Sequence, residues 1–280
     1  MHIPKTSGMG MIDLLSSILN ARHEGPVFDR SLFGAFTAFD TIAPSIRERI
    51  HIRGRLPADG GNLIAGHLAL STLTAICPDA DRMTVLREPR SRVLSHWVYW
   101  RALSDDELAL WGHWAAYLKQ AREPLKSFLN CPEIACHTDN LITRMLLWQH
   151  PLIPVDDFIK EENDEILLSA ASTALEHFAF VDTIENPRFQ ANLQAWFAQP
   201  LEYPETNRTR PVSADLQSAV ETELSDGAFK LLERRTRLDR HLWSAVAKRA
   251  AITDDVARFA TNTLMRDIAR FSRLMGTPGL

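Results

Sequence analysis

The sequence predicts an α/β protein in which a mainly parallel sheet is covered by helices on both faces and the last third is nearly all helix. Three observations predict it. Short aliphatic runs alternate with helix-period patterns over roughly the first 190 residues, as parallel strands joined by helical crossovers require. From about residue 213 onward helical spacing dominates. No internal repeat or low-complexity linker divides the chain, so residues 1–280 are expected to form one domain.

Each element follows from its local pattern. Residues 11–21 place Met11, Leu14, Leu15, Ile18 and Leu19 on one helical face, so the preceding KTSGMG is a loop that feeds a helix N-terminus. Residues 26–39 can hold a short strand. Residues 62–66 (NLIAG) and 82–86 (RMTVL) read as buried strands, the second stopping at Arg87-Glu88-Pro89. Pro89 suits the first turn of a helix, and Val93, Trp97 and Trp100 recur at helical spacing behind it. Helices are also expected over 105–130, 139–149 and 161–177, the last with Glu161, Glu162 and Asp164 at its positive end. Residues 178–184 (FAFVDTI) form another strand, Pro187 opens a further helix, and 201–212 is a Pro-broken loop.

Composition limits the function. With 45% hydrophobic and 24% charged residues, the chain can bury a sizeable core. A formal net charge of −4 argues against a broad nucleic-acid surface but leaves room for a local basic pocket. Cys77, Cys131 and Cys136 are too few for a disulfide framework, and no second pair follows to complete a metal site. They read as plain thiols of a reducing compartment. The N-terminus lacks the apolar run of a secretory signal, and no stretch reaches the ~18–20 apolar residues of a membrane helix. The expectation is a cytoplasmic protein with no stable membrane insertion and no metal.

Two motifs carry chemistry. In His2-Ile3-Pro4-Lys5-Thr6-Ser7-Gly8, a short loop enters a helix, so backbone N–H groups and the dipole's positive end can cradle a phosphate-like anion. Lys5 adds a point charge, and Thr6 and Ser7 add hydroxyls. The motif lacks the G-x-x-x-x-G-K-[ST] pattern of nucleoside-triphosphate loops. The second motif runs from Arg87 to Trp97. Arg87 ends a strand and Ser95 lies two turns into the next helix, beyond the carboxyl ends of strands where ligands of α/β sheets bind. A guanidinium and a hydroxyl there suit a second phosphate. Arg90 and Arg92 read as surface residues, and His96 as pointing away from the site. Trp97, Trp100, Trp111 and Trp114 read as packing residues rather than a sugar-stacking surface.

HIPKTSG together with LREPRSRVLSHW resembles the two signatures with which carbohydrate sulfotransferases bind PAPS (3′-phosphoadenosine 5′-phosphosulfate). That family includes the heparan 2-O-sulfotransferase-like enzymes and their bacterial relatives. Further likenesses follow in order: Gly66-His67; Asp139-Asn140-Leu141 with Thr143-Arg144-Met145-Leu146; Phe180-Val181 with Thr183-Ile184-Glu185; Asn207; and Leu238-Asp239 with Leu242-Trp243. The resemblance implies a P-loop-type three-layer fold with a central, mainly parallel sheet. It also implies transfer of a sulfuryl group from PAPS to a hydroxyl of a carbohydrate or glycolipid acceptor. Lys5 would contact the bridging oxygen of the donor. Pro4, Lys5, Thr6, Ser7 and Gly8 would hold the 5′-phosphate, and Arg87 and Ser95 the 3′-phosphate. His67 would be the general base, since a neutral imidazole suits proton removal near neutral pH. Asn140 and Arg144, four apart on one helix face, would bind acceptor or form a buried polar brace.

The chain departs from the family pattern twice. Met9 stands where the family has a threonine hydroxyl donor. Only Met1 to Ile3 precede the loop, where the family has a full apolar strand. Both departures keep open a sulfotransferase-like fold that binds nucleotide or glycan without turnover. A P-loop kinase of small molecules is a third reading, weakened by the missing GK[ST] and by the want of an evident acidic residue for Mg²⁺.

Overall fold

The computed structural model describes residues 1–6, 8–21, 27–52, 62–200, 210–250 and 252–276. Strand β1 (Phe28–Asp29) pairs in parallel with β2 (Ile50–His51), and β3 (Met83–Leu86) in parallel with β4 (Phe180–Thr183). The expected central sheet is therefore represented, among the described residues, by two separate two-stranded sheets. Backbone hydrogen bonds connect the ground between them. His67 donates to Val27 O (2.8 Å) and accepts from Asp29 N (3.1 Å). His2 N donates to Gly66 O (2.9 Å), and the Met1 amino group donates to Met83 O (2.8 Å). Residues 1–2 thus bridge the 66–67 segment and β3, which answers the need of buried peptide groups for partners. The expected strand over 62–66 is extended but forms no ladder; its one bridge lies beyond it, from His67 to Phe28.

Helices fill most of the rest. In chain order they are α1 (Gly8–Ile18), α2 (Pro44–Arg47), α3 (Leu70–Ile76), α4 (Pro89–Arg101), α5 (Asp105–Ala109), α6 (Ala115–Leu118), α7 (Leu125–Asn130), α8 (Ala135–Thr138), α9 (Leu141–Leu146), α10 (Asp164–Leu175), α11 (Phe189–Phe197), α12 (Val220–Glu223), α13 (Asp226–Arg235), α14 (Arg237–Arg249) and α15 (Val256–Leu274). The helix expected over 105–130 is three short helices with 3-10 turns between them. One break has a local cause. Gly112 sits at φ 53° with its backbone against Thr41, so that a Cβ there would lie 2.0 Å from Thr41 O. Only glycine tolerates both the conformation and the approach. Pro124 caps α7 and likewise ends the preceding run.

Helix α4 is the buried axis of the molecule. From Pro89 to Arg101 only Tyr99 is exposed. It begins as the sequence predicts, with Pro89 in its first turn and Glu88 as N-cap accepting from Ser91 N. Arg90 and Arg92 are corrections: both are buried rather than at the surface. Arg90 is ion-paired with Glu88 (2.7 Å) and Glu233 (2.9 Å), and Arg92 donates to His137 O (2.9 Å). Charges can enter a core when paired, and these arginines lie on a helix packed against α13, α14 and α15. Trp97, Trp100 and Trp114 are core residues, as expected.

Two motifs cap each other's helices. Asn140 (φ 47°) precedes α9, and its Oδ1 accepts from Leu238 N (2.9 Å) and more weakly from Asp239 N (3.4 Å) at the start of α14. Asp239 in return accepts from Ile142 N and Thr143 N (both 2.9 Å) and from Thr143 Oγ1 (2.8 Å) at the start of α9. Each side chain satisfies N–H groups that its partner helix cannot. Arg144 donates from Nε to Asp139 O (2.7 Å), from one terminal nitrogen to Pro154 O (2.7 Å), and from the other to Asp139 Oδ2 (2.8 Å) and Asp157 O (2.7 Å). Burial pushes the Asp239 carboxyl up to about 6. Replacing Asp239 by Ala is expected to lower stability by about 3 kcal/mol or more, and Asn140 by Ala by about 2 kcal/mol. Urea unfolding of the two single variants and the double variant checks this, with a smaller loss in the double than the sum of the singles.

Candidate functional site

The two motifs identified in the sequence meet in space. Arg87 follows the last residue of β3, and one terminal nitrogen donates to Lys5 O (3.2 Å), joining residues 82 apart in sequence. Lys5 takes the left-handed conformation, with φ 71°. A non-glycine residue there costs of order 1–3 kcal/mol and is held only when its surroundings determine it. The Arg87 bond to its carbonyl is one such restraint. Helix α1 starts three residues later, at Gly8.

Lys5 faces little negative charge. Among the described residues no carboxylate forms an ion pair with it. Its ammonium lies over the ring of Tyr99, 4.0 Å from the centroid. Burial first, and then repulsion by Arg87 and Arg270, push its pKa down to about 7. An anion arriving beside it would offset the repulsion and favour the charged form.

Arg87 is not free. Its other terminal nitrogen is 2.6 Å from Asp267 Oδ2, within a buried pair. Asp267 belongs to α15, which packs along α4. A phosphate at Arg87 must share the guanidinium with this carboxylate or displace it. Ser95 is buried on α4. Thr6 is buried too, and its hydroxyl donates to Ile3 O (2.8 Å), so the proton expected to reach a phosphate is directed into the loop itself. Pro4 is buried beside it. Ser7 and Asn207 lie outside the described residues.

His67 is held in a defined tautomer. Its Nδ1 is 2.8 Å from His2 O. A carbonyl only accepts, so Nδ1 carries the hydrogen and Nε2 keeps its lone pair. Burial pushes the pKa down to about 4, with the bond to His2 O opposing and Lys5 adding to the depression. The ring is therefore neutral at physiological pH. Its face lies against the His2 imidazole, with centroids 4.2 Å apart. Asp29 fixes this segment from β1: its N–H donates to His67 O (3.1 Å), and its carboxylate accepts from Ala69 N (2.9 Å).

Asn140 and Arg144 do not join this group. They form the buried brace described above, with their polar atoms directed to Asp139, Pro154, Asp157, Leu238 and Asp239. Among the described residues no cluster of three or more His, Cys, Asp or Glu side chains is arranged to hold a metal ion. No described helix is long and apolar enough to cross a membrane.

A cavity of about 580 Å³ opens along β3 from Met83 to Val85. It is lined by Met1, His2, Thr6, Leu63, Met83 and Trp196 among others. It touches the back of the loop at His2 and Thr6 but includes none of Lys5, His67, Arg87 and Ser95. The two candidate motifs meet beyond the far end of the strand, at Arg87.

Sequence reading missed Asp267, Arg270 and Tyr99. Asp267 and Arg270 are three apart on α15 and so share a face. That much was visible, but their docking beside residues 5 and 87 was not. No protein-family model matches the chain, and no curated protein matches it.

A buried, repelled lysine should burden the fold. The folded pKa lies below the unfolded one, so the cost is full below about pH 7 and fades as pH rises toward 10.5. Lys5→Met is therefore expected to be more stable than the parent at pH 6–7 and to lose that advantage by pH 10. Urea unfolding across this range checks the sign.

Proposed function

We propose that this chain is a PAPS-dependent sulfotransferase that moves a sulfuryl group to a hydroxyl of a carbohydrate or glycolipid acceptor. One observation carries the reading: the Arg87 guanidinium contacts the backbone of Lys5, which brings the two phosphate-type motifs side by side, and among the described residues no carboxylate pairs with the Lys5 ammonium. A donor with phosphates at both 5′ and 3′ positions offers two anionic groups for two such anchors. The finer fold belongs to the same reading. The spatial series β2, β1, residues 66–67, residues 1–2, β3 and β4 is compatible with the central parallel sheet of a P-loop-type three-layer fold.

The roles are those that the resemblance of the two motifs implies. Gly8, at the start of α1, and the loop Pro4-Lys5-Thr6-Ser7 cradle the 5′-phosphate end. Arg87 and Ser95 take the 3′-phosphate. The acceptor hydroxyl attacks sulfur, its proton passes to Nε2 of His67, and the bond from sulfur to the phosphate oxygen breaks. The developing charge on that oxygen is met by the Lys5 ammonium, the same electrostatic logic as in phosphoryl transfer. A base with a pKa of about 4 is weak in the free protein. A bound anion raises it by offsetting the field of Lys5, while burial, the larger cause of the depression, remains. His2 O then stabilises the imidazolium through Nδ1–H.

A second reading, ligand binding without turnover, is favoured by Asp267, which already engages Arg87, and by Thr6, whose hydroxyl turns inward. Thermal shifts with adenosine 3′,5′-bisphosphate, ATP–Mg²⁺ and AMP are expected to show selective stabilisation by the bisphosphate. Stabilisation by ATP–Mg²⁺ alone overturns both readings in favour of a kinase. Labelled-sulfate transfer to a glycan panel then separates enzyme from binding module. His67→Gln is expected to cut transfer by about 10²–10⁴-fold while leaving bisphosphate affinity near that of the parent.

Asp267→Asn provides a further check. If the carboxylate competes with phosphate for Arg87, the variant binds the bisphosphate more tightly. Calorimetry that shows weaker binding instead makes Asp267 a support for Arg87.

A further inference from the structure

Much of Arg87 is already committed to the protein. One terminal nitrogen donates to Lys5 O (3.2 Å) and the other lies 2.6 Å from Asp267 Oδ2. Its guanidinium carbon sits over the Phe271 ring, 5.9 Å from the centroid. Arg87 is thus a strut between the Lys5 loop and α15. An anion that comes to Lys5 finds this guanidinium shared with a carboxylate, which leaves room for a second arginine.

Helix α15 offers one. Asp267, Arg270 and Phe271 stand three and four residues apart, so they are neighbours on the surface of that helix. Asp267 pairs with Arg87 and Phe271 lies beneath it, which brings this turn of α15 to the candidate site. Arg270 is near enough to Lys5 to repel its charge. It is exposed, and among the described residues its guanidinium forms no ion pair and no hydrogen bond. By helical spacing the carboxylate best placed to neutralise it is Asp267, three residues before, and that carboxylate is engaged by Arg87. Two cations therefore face each other, and no carboxylate pairs with either among the described residues. Such a pair costs free energy until an anion bridges it, and binding sites for anions carry this cost. Lys5 is half-buried and Arg270 exposed, so an anion meets the pair from the solvent side.

We propose that Arg270 is a binding residue of the candidate site, closing with Lys5 on a phosphate-type anion while Arg87 holds the loop in place. The inference rests on the reading of this site as one that takes PAPS, and it adds a residue to it: Arg270 meets the 5′ end of the donor, beside Lys5. A guanidinium there supplies two parallel N–H donors to phosphate oxygens, where Lys5 supplies a point charge.

The test uses the full chain, with adenosine 3′,5′-bisphosphate as the probe and affinity read by calorimetry at 0.15 M salt. Arg270→Gln is expected to weaken binding by about 10–100-fold, the worth of a charge-assisted hydrogen bond. Arg270→Lys, which keeps the charge and loses the fork, is expected to fall between that variant and the parent. Arg266 and Arg273 are exposed on the same face of α15, four residues before and three after. Arg266→Gln and Arg273→Gln are expected to stay within about threefold of the parent, because salt screens solvent-exposed charges beyond ~8 Å. Without ligand, Arg270→Gln is expected to be no less stable than the parent to urea, since it removes a repulsion. A loss of stability makes Arg270 a structural residue and overturns the proposal. Equal losses of affinity in all three glutamine variants reveal a general field in place of a site and also overturn it. If the parent binds the bisphosphate and Arg270→Gln binds it equally well, this inference fails and the function proposed above stands. If the parent does not bind the bisphosphate, both fall.

Discussion

The architecture turns on one guanidinium. Arg87 leaves the end of β3 and binds the carbonyl of Lys5 on one side and the carboxylate of Asp267 on the other. It thereby ties the first residues of the chain, the central strand-to-helix turn and the last long helix into one cluster. A rigid planar fork suits this task, because its donors point in fixed and different directions. A lysine there would offer one flexible point charge and could not hold both partners in register.

The cluster carries an excess of positive charge at low exposure. Lys5, Arg87, Arg92 and Arg270 act on one another, while the carboxylates near them are few and already engaged. Burial is the main cause of the depressed pKa values at Lys5 and His67, and that excess adds to it. Perturbed groups gathered at a strand end are a common mark of a functional site, since a site that receives anions must repel protons before they arrive. On the far side of α4, several buried nitrogens of Arg92, His96 and His137 have no hydrogen-bond partner among the described residues.

Much of the helical architecture was legible locally. Pro89 behind a strand end and the apolar face of residues 11–19 led to α4 and α1, with boundaries within a few residues. Strands β3 and β4 lie within the runs that indicated them. The stretch 62–66 failed because its apolar residues border a cavity and the segment that follows instead of a partner strand. The run 105–130 failed because Gly112 is demanded by a contact with Thr41, about 70 positions away, that no local pattern records. Arg90 and Arg92 were misread for a related reason: charge suggests a surface until the paired carboxylates and carbonyls are seen in place.

The sequence alone offered the candidate residues. A lysine before a helix, an arginine after a strand and a histidine after a glycine are local patterns, and local patterns survive in one dimension. Tertiary structure decided which of them meet. It placed Lys5 against Arg87, gave His67 its tautomer through His2, and turned Asn140 and Arg144 inward to brace two helices. It also set Asp267 on Arg87 across 180 positions of chain. Those outcomes depend on contacts between side chains remote in sequence, which local patterns do not record; for Arg87 and Asp267 the packing of α15 along α4 sets the distance.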